Sequence, residues 1–260
     1  LIITVDAWTL EKDKTIGLFG REKKKGNDML LRFANGTNNC DTFAGDPLVV
    51  REAPDAGDAA GFEEEGVCPF GDIKYIKNNY TNMALRTLEG TDVGIYYNIE
   101  SDFGDFDFRY NGTFLDKYEQ KASGEFAELQ AKKDSGEIPE SIPLKGFGDL
   151  LEKDGIYDNK HSLRLSWDKG PYGVALTGLK KGSFVQTSLG TKNGIPYLIP
   201  SMTTLDLTMS YDLPELSGHK ARIRFAVKNL EDERAPTADR YYGYYADAHQ
   251  DYGRYYYVDF

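Results

Sequence analysis

"TTLDLTMSYDL" occupies residues 203–213 and alternates without a break. Leu205, Leu207, Met209, Tyr211 and Leu213 fall on one side, and Asp206, Thr208, Ser210 and Asp212 on the other. Period two marks an extended strand whose two faces meet different surroundings. "ARIRFAVK" (221–228) repeats the pattern, with Ile223, Phe225 and Val227 opposite Arg222, Arg224 and Lys228. The acids of the first stretch and the bases of the second can pair across a hairpin ladder. Upstream, "HSLRLSWD" (161–168) sets Leu163, Leu165 and Trp167 against Arg164, Ser166 and Asp168. Residues 91–99 and 106–114 read the same way, and 172–178 and 2–8 more faintly. The chain closes on "GRYYYVDF" (253–260). There Tyr252, Tyr256, Val258 and Phe260 share a face with Arg254, and Tyr255, Tyr257 and Asp259 take the other. Eight strands are expected, several reaching the roughly 9–11 residues that a tilted strand needs to cross a bilayer.

The connections carry as much information as the strands. Three are short (101–105, 169–172 and 213–220) and the others long (about 17–72, 119–159, 182–202 and 231–252), in strict alternation. Outer-membrane barrels put short turns on the periplasmic side and long loops outside. The expected fold class is therefore all-β, an antiparallel transmembrane β-barrel with its C-terminus periplasmic. Among 260 residues there are 18 Tyr and 14 Phe, and the net charge of −11 excludes the basic surface that nucleic acid requires. The mean hydropathy of −0.54 does not argue against a membrane, because lipid-facing and lumen-facing residues alternate in such a wall. "LIITVDAW" opens in mid-strand without Met or a signal-peptide pattern, so a piece of a longer protein is expected. Two alternatives stay open: a stand-alone eight-stranded barrel acting as adhesin or anchor, and a soluble two-layer β-sandwich that binds a ligand.

Several segments together resemble TonB-dependent outer-membrane receptors. They are "YDNKHSLRLSWDKGPYGVALTGLKKGSF" (157–184), "IPSMTTLDLTMSYDLP" (199–214), "ARIRFAVKNLEDERAP" (221–236) and "YGRYYYVDF" (252–260). "LRTLEGTDVGIYYNI" (85–99), "FLDKYEQ" (114–120) and "ITVDAWTLEKDKTI" (3–16) extend the likeness over nearly the whole chain. Glu231 departs from it, since the family places an apolar or aromatic residue after Asn-Leu. The resemblance implies the last eight strands of a barrel of about 22 strands. It implies TonB-dependent uptake of an oligosaccharide, siderophore, cobalamin or peptide, with no chemistry done on the cargo. TonB would act through a TonB box and plug N-terminal to these residues. Tyr256, Val258 and Phe260 would form the C-terminal signal read by the barrel-assembly machinery. The terminal strand would pair with the first to seal the wall, and lipid or lipopolysaccharide would surround it.

Cys40 and Cys68 both fall in the first long loop, without a C-x-x-C or a nearby histidine, so zinc is not expected. At an oxidising cell surface a disulfide is the natural reading, two free thiols the alternative. "DRYYGYYADAHQDYG" (239–253) gathers Tyr241, Tyr242, Tyr244, Tyr245, Asp247 and His249. Such a cluster suits ligand contact, and equally an interfacial tyrosine belt. It leans towards a saccharide or another bulky nutrient. Short helices are expected at 27–36 and 123–136, each ending at Gly. The acidic run 51–66 offers carboxylates to calcium but lacks EF-hand spacing and reads as a solvated loop, so no cofactor is expected. The sequons at Asn35, Asn79 and Asn111 read as incidental. His161, His219 and His249 are isolated from one another, and no nucleophile or phosphate-loop motif is present, so no enzyme is expected.

Overall fold

The structure is a computed structural model, described for residues 1–18, 21–122, 124–136, 147–189, 195–215 and 220–260. His219 lies outside the described residues. The chain divides into two compact units, 1–10 with 87–118 and 149–260, and 11–86 with 119–148.

Eight strands in chain order form the main sheet, and a ninth, the two-residue Gly148–Asp149, pairs with the third of them. The eight are β1 (Ile2–Lys12), β2 (Arg86–Ser101), β3 (Gly104–Gln120), β4 (Asn159–Lys169), β5 (Tyr172–Lys181), β6 (Met202–Asp212), β7 (Arg222–Lys228) and β8 (Tyr255–Asp259). Each pairs with the next in chain order. From β3 to β8 every pairing is antiparallel. The hairpin turn after β2 needs Gly104, whose φ is +119° and whose missing Cβ would lie 2.5 Å from Trp167 Nε1. That indole instead donates to the Phe103 carbonyl at 2.9 Å.

The register sorts the side chains into two ladders. One rung on the apolar face reads Phe106, Trp167, Val174, Met209, Phe225, Val258, and the next reads Phe108, Leu165, Leu176, Leu207, Val227, Tyr256. Most of these side chains are exposed or half-exposed, Met209 at 41% and Tyr256 at 62%. An unbroken apolar ladder of that extent is far larger than the scattered surface residues of a water-soluble monomer. The opposite face carries Asp105, Asp168, Gly173, Ser210, Arg224 and Asp259 on one rung. Its charges pair across strands: Arg222 with Asp212 at 2.5 Å, and Lys228 with Asp206 at 2.7 Å. Arg224 turns the other way, to Asp259 at 3.5 Å.

Two features differ from the sequence reading. Strands β2 and β3 run past 91–99 and 106–114, because polar pairs continue their ladder where hydrophobic alternation fades. Lys117 meets Glu89 at 3.5 Å, and Arg86 Nε donates to Gln120 Oε1 at 2.9 Å. The expected seal is also not formed: β1 and β8 are the two edges of an open sheet. Eight strands close only at the tight curvature of the smallest barrels.

The second unit is built on helix α1 (Arg21–Asn35) with α2 (Ala56–Glu64) and α3 (Glu125–Asp134). Helix α2 falls within the stretch read from sequence as a solvated acidic loop. Val49–Arg51 pairs with Ile73–Ile76, and Ile16–Leu18 with Tyr80–Asn82. Asp28 is fully buried on α1 and accepts from Arg32 Nε at 3.1 Å, Arg51 Nε at 2.8 Å and the Asp46 N–H at 3.0 Å. Both guanidiniums lie against the Phe70 ring, 4.6 and 4.5 Å from its centroid. Gly45 crosses over this network at φ +76°, where a Cβ would stand 2.1 Å from Asp28 Oδ1.

Cys40 and Cys68 form the disulfide, with Cα atoms 5.1 Å apart. The bridge spans 28 positions, so chain-entropy arithmetic gives it about 3–4 kcal/mol. Replacing both cysteines by alanine is expected to lower amide protection in α1 by that amount, with the protection of β4 to β6 unchanged in hydrogen exchange.

Candidate functional site

Three connections of the first unit fold into one cluster. The ribbon Phe184–Gln186 pairs with Tyr197–Ile199 and supplies Phe184 and Ile199, both fully buried. Ala238, Tyr245 and Ala248 from the last long connection pack on them, with Tyr157 alongside. Phe184 meets the Tyr245 ring edge-on at 4.9 Å and stacks on the His249 ring at 5.7 Å.

Polar anchors fix the last connection along its length. Asn229 stands at φ +51° and bonds the N–H and the carbonyl of Glu233. Arg234 grips Asp251 through two hydrogen bonds of 2.8 and 2.6 Å. That guanidinium, with the Ala235 N–H, holds the Asp251 carboxyl down at about 2. The buried Gln186 amide bonds both the N–H and the carbonyl of Asp239. Tyr245 donates to Asp154 at 2.9 Å and accepts from Arg240 at 3.0 Å. Burial and then the Asp154 carboxylate push its phenol up to about 12. Asp154 also accepts from the Thr187 hydroxyl.

The six residues singled out in the sequence therefore divide. Tyr245 and His249 belong to the packed interior, 4% and 1% exposed. Tyr241 is 95% exposed, Tyr242 and Asp247 are exposed, and Tyr244 is half-buried. Tyr241 meets Tyr242 edge-on at 4.9 Å, and Tyr242 stands 6.2 Å from Tyr244. The turn that presents these rings uses Gly243 at φ +78°. Sequence reasoning missed the role of Asp154, Gln186 and Arg240 in holding the tip. No local pattern joins these residues, which are up to 91 positions from their partners.

A second candidate surface lies on the polar face of the sheet. A groove of about 420 Å³ there is lined by Arg164, Ser166, Ser210, Arg222, Arg224 and Tyr257 among others. Its hydroxyls and guanidiniums can hydrogen-bond a polar solute or a polar polypeptide segment. Among the described residues no cluster of His, Cys, Asp and Glu is placed to hold a metal ion.

No protein-family model matches the chain, and no curated protein matches it by sequence. Among solved structures it is similar to the siderophore receptor PirA from Acinetobacter baumannii, at 14% identity and a TM-score of 0.50. The match covers 98% of this chain and 28% of that receptor, so the chain spans little more than a quarter of the receptor's length. The likeness is one of fold: this open antiparallel sheet is similar to part of a receptor barrel.

Proposed function

We propose that the chain forms part of the wall of a bacterial outer-membrane receptor that takes up a bulky nutrient. The observation that carries this reading is the pair of ladders, one apolar and exposed to its surroundings, the other charged and internally paired. Lipid accepts the first and a wet lumen the second. The similarity in fold to a siderophore receptor supports the same assignment. In this reading the long connections are extracellular, with Cys40–Cys68 pinning the first and Tyr241, Tyr242 and Tyr244 meeting the ligand. Tyr256, Val258 and Phe260 face the barrel-assembly machinery, and energy comes from TonB through a plug outside these residues.

The test uses cells carrying the complete gene. The protein is expected in the outer-membrane fraction, extractable only with detergent. Uptake of its nutrient should stop when the proton gradient is collapsed. Replacing Tyr241 and Tyr242 together by Ala should weaken ligand binding by about 1–3 kcal/mol, roughly five- to 150-fold. Recovery in the aqueous fraction without detergent would overturn the reading in favour of a soluble sandwich. Uptake that persists without the gradient would remove the TonB step.

A further inference from the structure

His249 is 1% exposed, and neither of its ring nitrogens has a hydrogen-bond partner among the described residues. A buried imidazole left so is uncommon, because the lost hydrogen bonds to water are not replaced. Its surroundings also oppose a positive charge. Phe184, parallel to the ring at 15°, keeps water off one face and offers a protonated ring only the mild pull of its π cloud in return. The Lys181 ammonium at the end of β5 donates to the carbonyl of Ala248, the residue just before it, at 2.5 Å. Lys160 is the direct register partner of Lys181 and adds a second cation.

The other ionisable groups around the cluster give no relief. Asp154 is engaged by Tyr245, Thr187 and Arg240, and Asp251 by Arg234. Tyr157 and Tyr245 pack as neutral phenols, both held above their ordinary range chiefly by burial. Burial, and then Lys181, holds the His249 imidazolium below the ordinary histidine range.

We propose that His249 is a proton-operated latch: neutral, it lets the segment 238–249 pack on Phe184, and protonated, it drives that segment off. The segment carries Tyr241, Tyr242 and Tyr244, so the latch regulates the tip that the proposed function assigns to the ligand, and its relevance to uptake rests on that reading. The sign follows from linkage. The released loop binds a proton near pH 6.5 and the packed loop binds it only at lower pH, so packing is complete above about 6.5 and weakens as pH falls below it.

The experiment is hydrogen exchange of residues 238–250 in the detergent-purified full-length protein, corrected for intrinsic rates, from pH 7.5 to 5. It needs no ligand and no TonB, so its failure and the failure of the transport reading are separable. Protection is expected to fall by up to about thirtyfold, as one proton on an ordinary histidine allows. His249→Phe should fold with a flat profile. Lys181→Met should shrink the fall, because removing the neighbouring charge brings the packed and released imidazoles closer in proton affinity. Unchanged protection in the native protein, or an equal fall in His249→Phe, would overturn the latch. If His249→Phe does not fold, an unaltered fall in Lys181→Met would overturn it instead.

Discussion

Asp28→Ala is expected to cost the second unit about 3–5 kcal/mol, because it strands two guanidiniums that the carboxylate neutralises in a buried site. Arg32 is 3% exposed, and Arg51 donates to Asp28 and to the Gly71 carbonyl. Removing the acid leaves both cations against Phe70 with only carbonyl acceptors. The Asp46 N–H loses its acceptor as well. The readout is hydrogen exchange across α1 and the ribbon Val49–Arg51, where protection should fall by about two to nearly four orders of magnitude, the same energy expressed as a ratio. Replacing all three members with apolar residues of similar volume, Asp28→Leu with Arg32→Met and Arg51→Met, should recover most of that loss. A single variant that costs less than about 1 kcal/mol would show that water already solvates the network.

Phe184→Ala is the second large effect, about 3–5 kcal/mol for emptying a fully buried aromatic site. Phe184 touches Tyr245 and His249 by ring contact and shares its cluster with Ala238 and Ala248. Its loss removes the support of a loop whose exposed tyrosines it never touches. On the proposed reading, ligand binding is therefore expected to weaken although Tyr241 and Tyr242 are intact, while circular dichroism of the sheet stays unchanged. Phe184→Leu, which leaves a smaller void, should lose far less. Equal ligand affinity in Phe184→Ala and the native protein would show that the tip holds its shape without the cluster.

The strands were legible because each face of the sheet meets one kind of surrounding. In 203–213 every second residue is apolar, and the observed strand Met202–Asp212 coincides with that run within a residue. Pairing was legible in kind and only partly in detail. Asp206 and Asp212 do meet bases of the next strand, yet Arg224 bonds forward to Asp259, which the hairpin alone does not suggest. Closure was not legible, since alternation fixes faces and says nothing of curvature.

The long connections resisted reading for a different reason. Their order comes from single contacts between residues far apart in sequence, such as Asp28 with Arg51 or Tyr245 with Asp154. Tyr244 and Tyr245 are identical neighbours, and only the position of Phe184 makes the second a core residue. Charge misled at 56–64, where an acidic run that reads as solvated chain forms α2. The cysteine pair was the exception, because two thiols in one oxidised loop leave few other partners.

The two tryptophans of the chain have a practical use that follows from the register. Trp8 sits over Gly90, on the same face as the Asp92–Thr113 bond, and Trp167 stands in the apolar ladder between Phe106 and Val174. One indole thus reports on each side of the sheet. On the proposed reading, a water-borne collisional quencher addresses the first emission and a brominated acyl chain the second. A variant carrying either indole alone turns a fluorescence titration into an assay of which surface has been wetted.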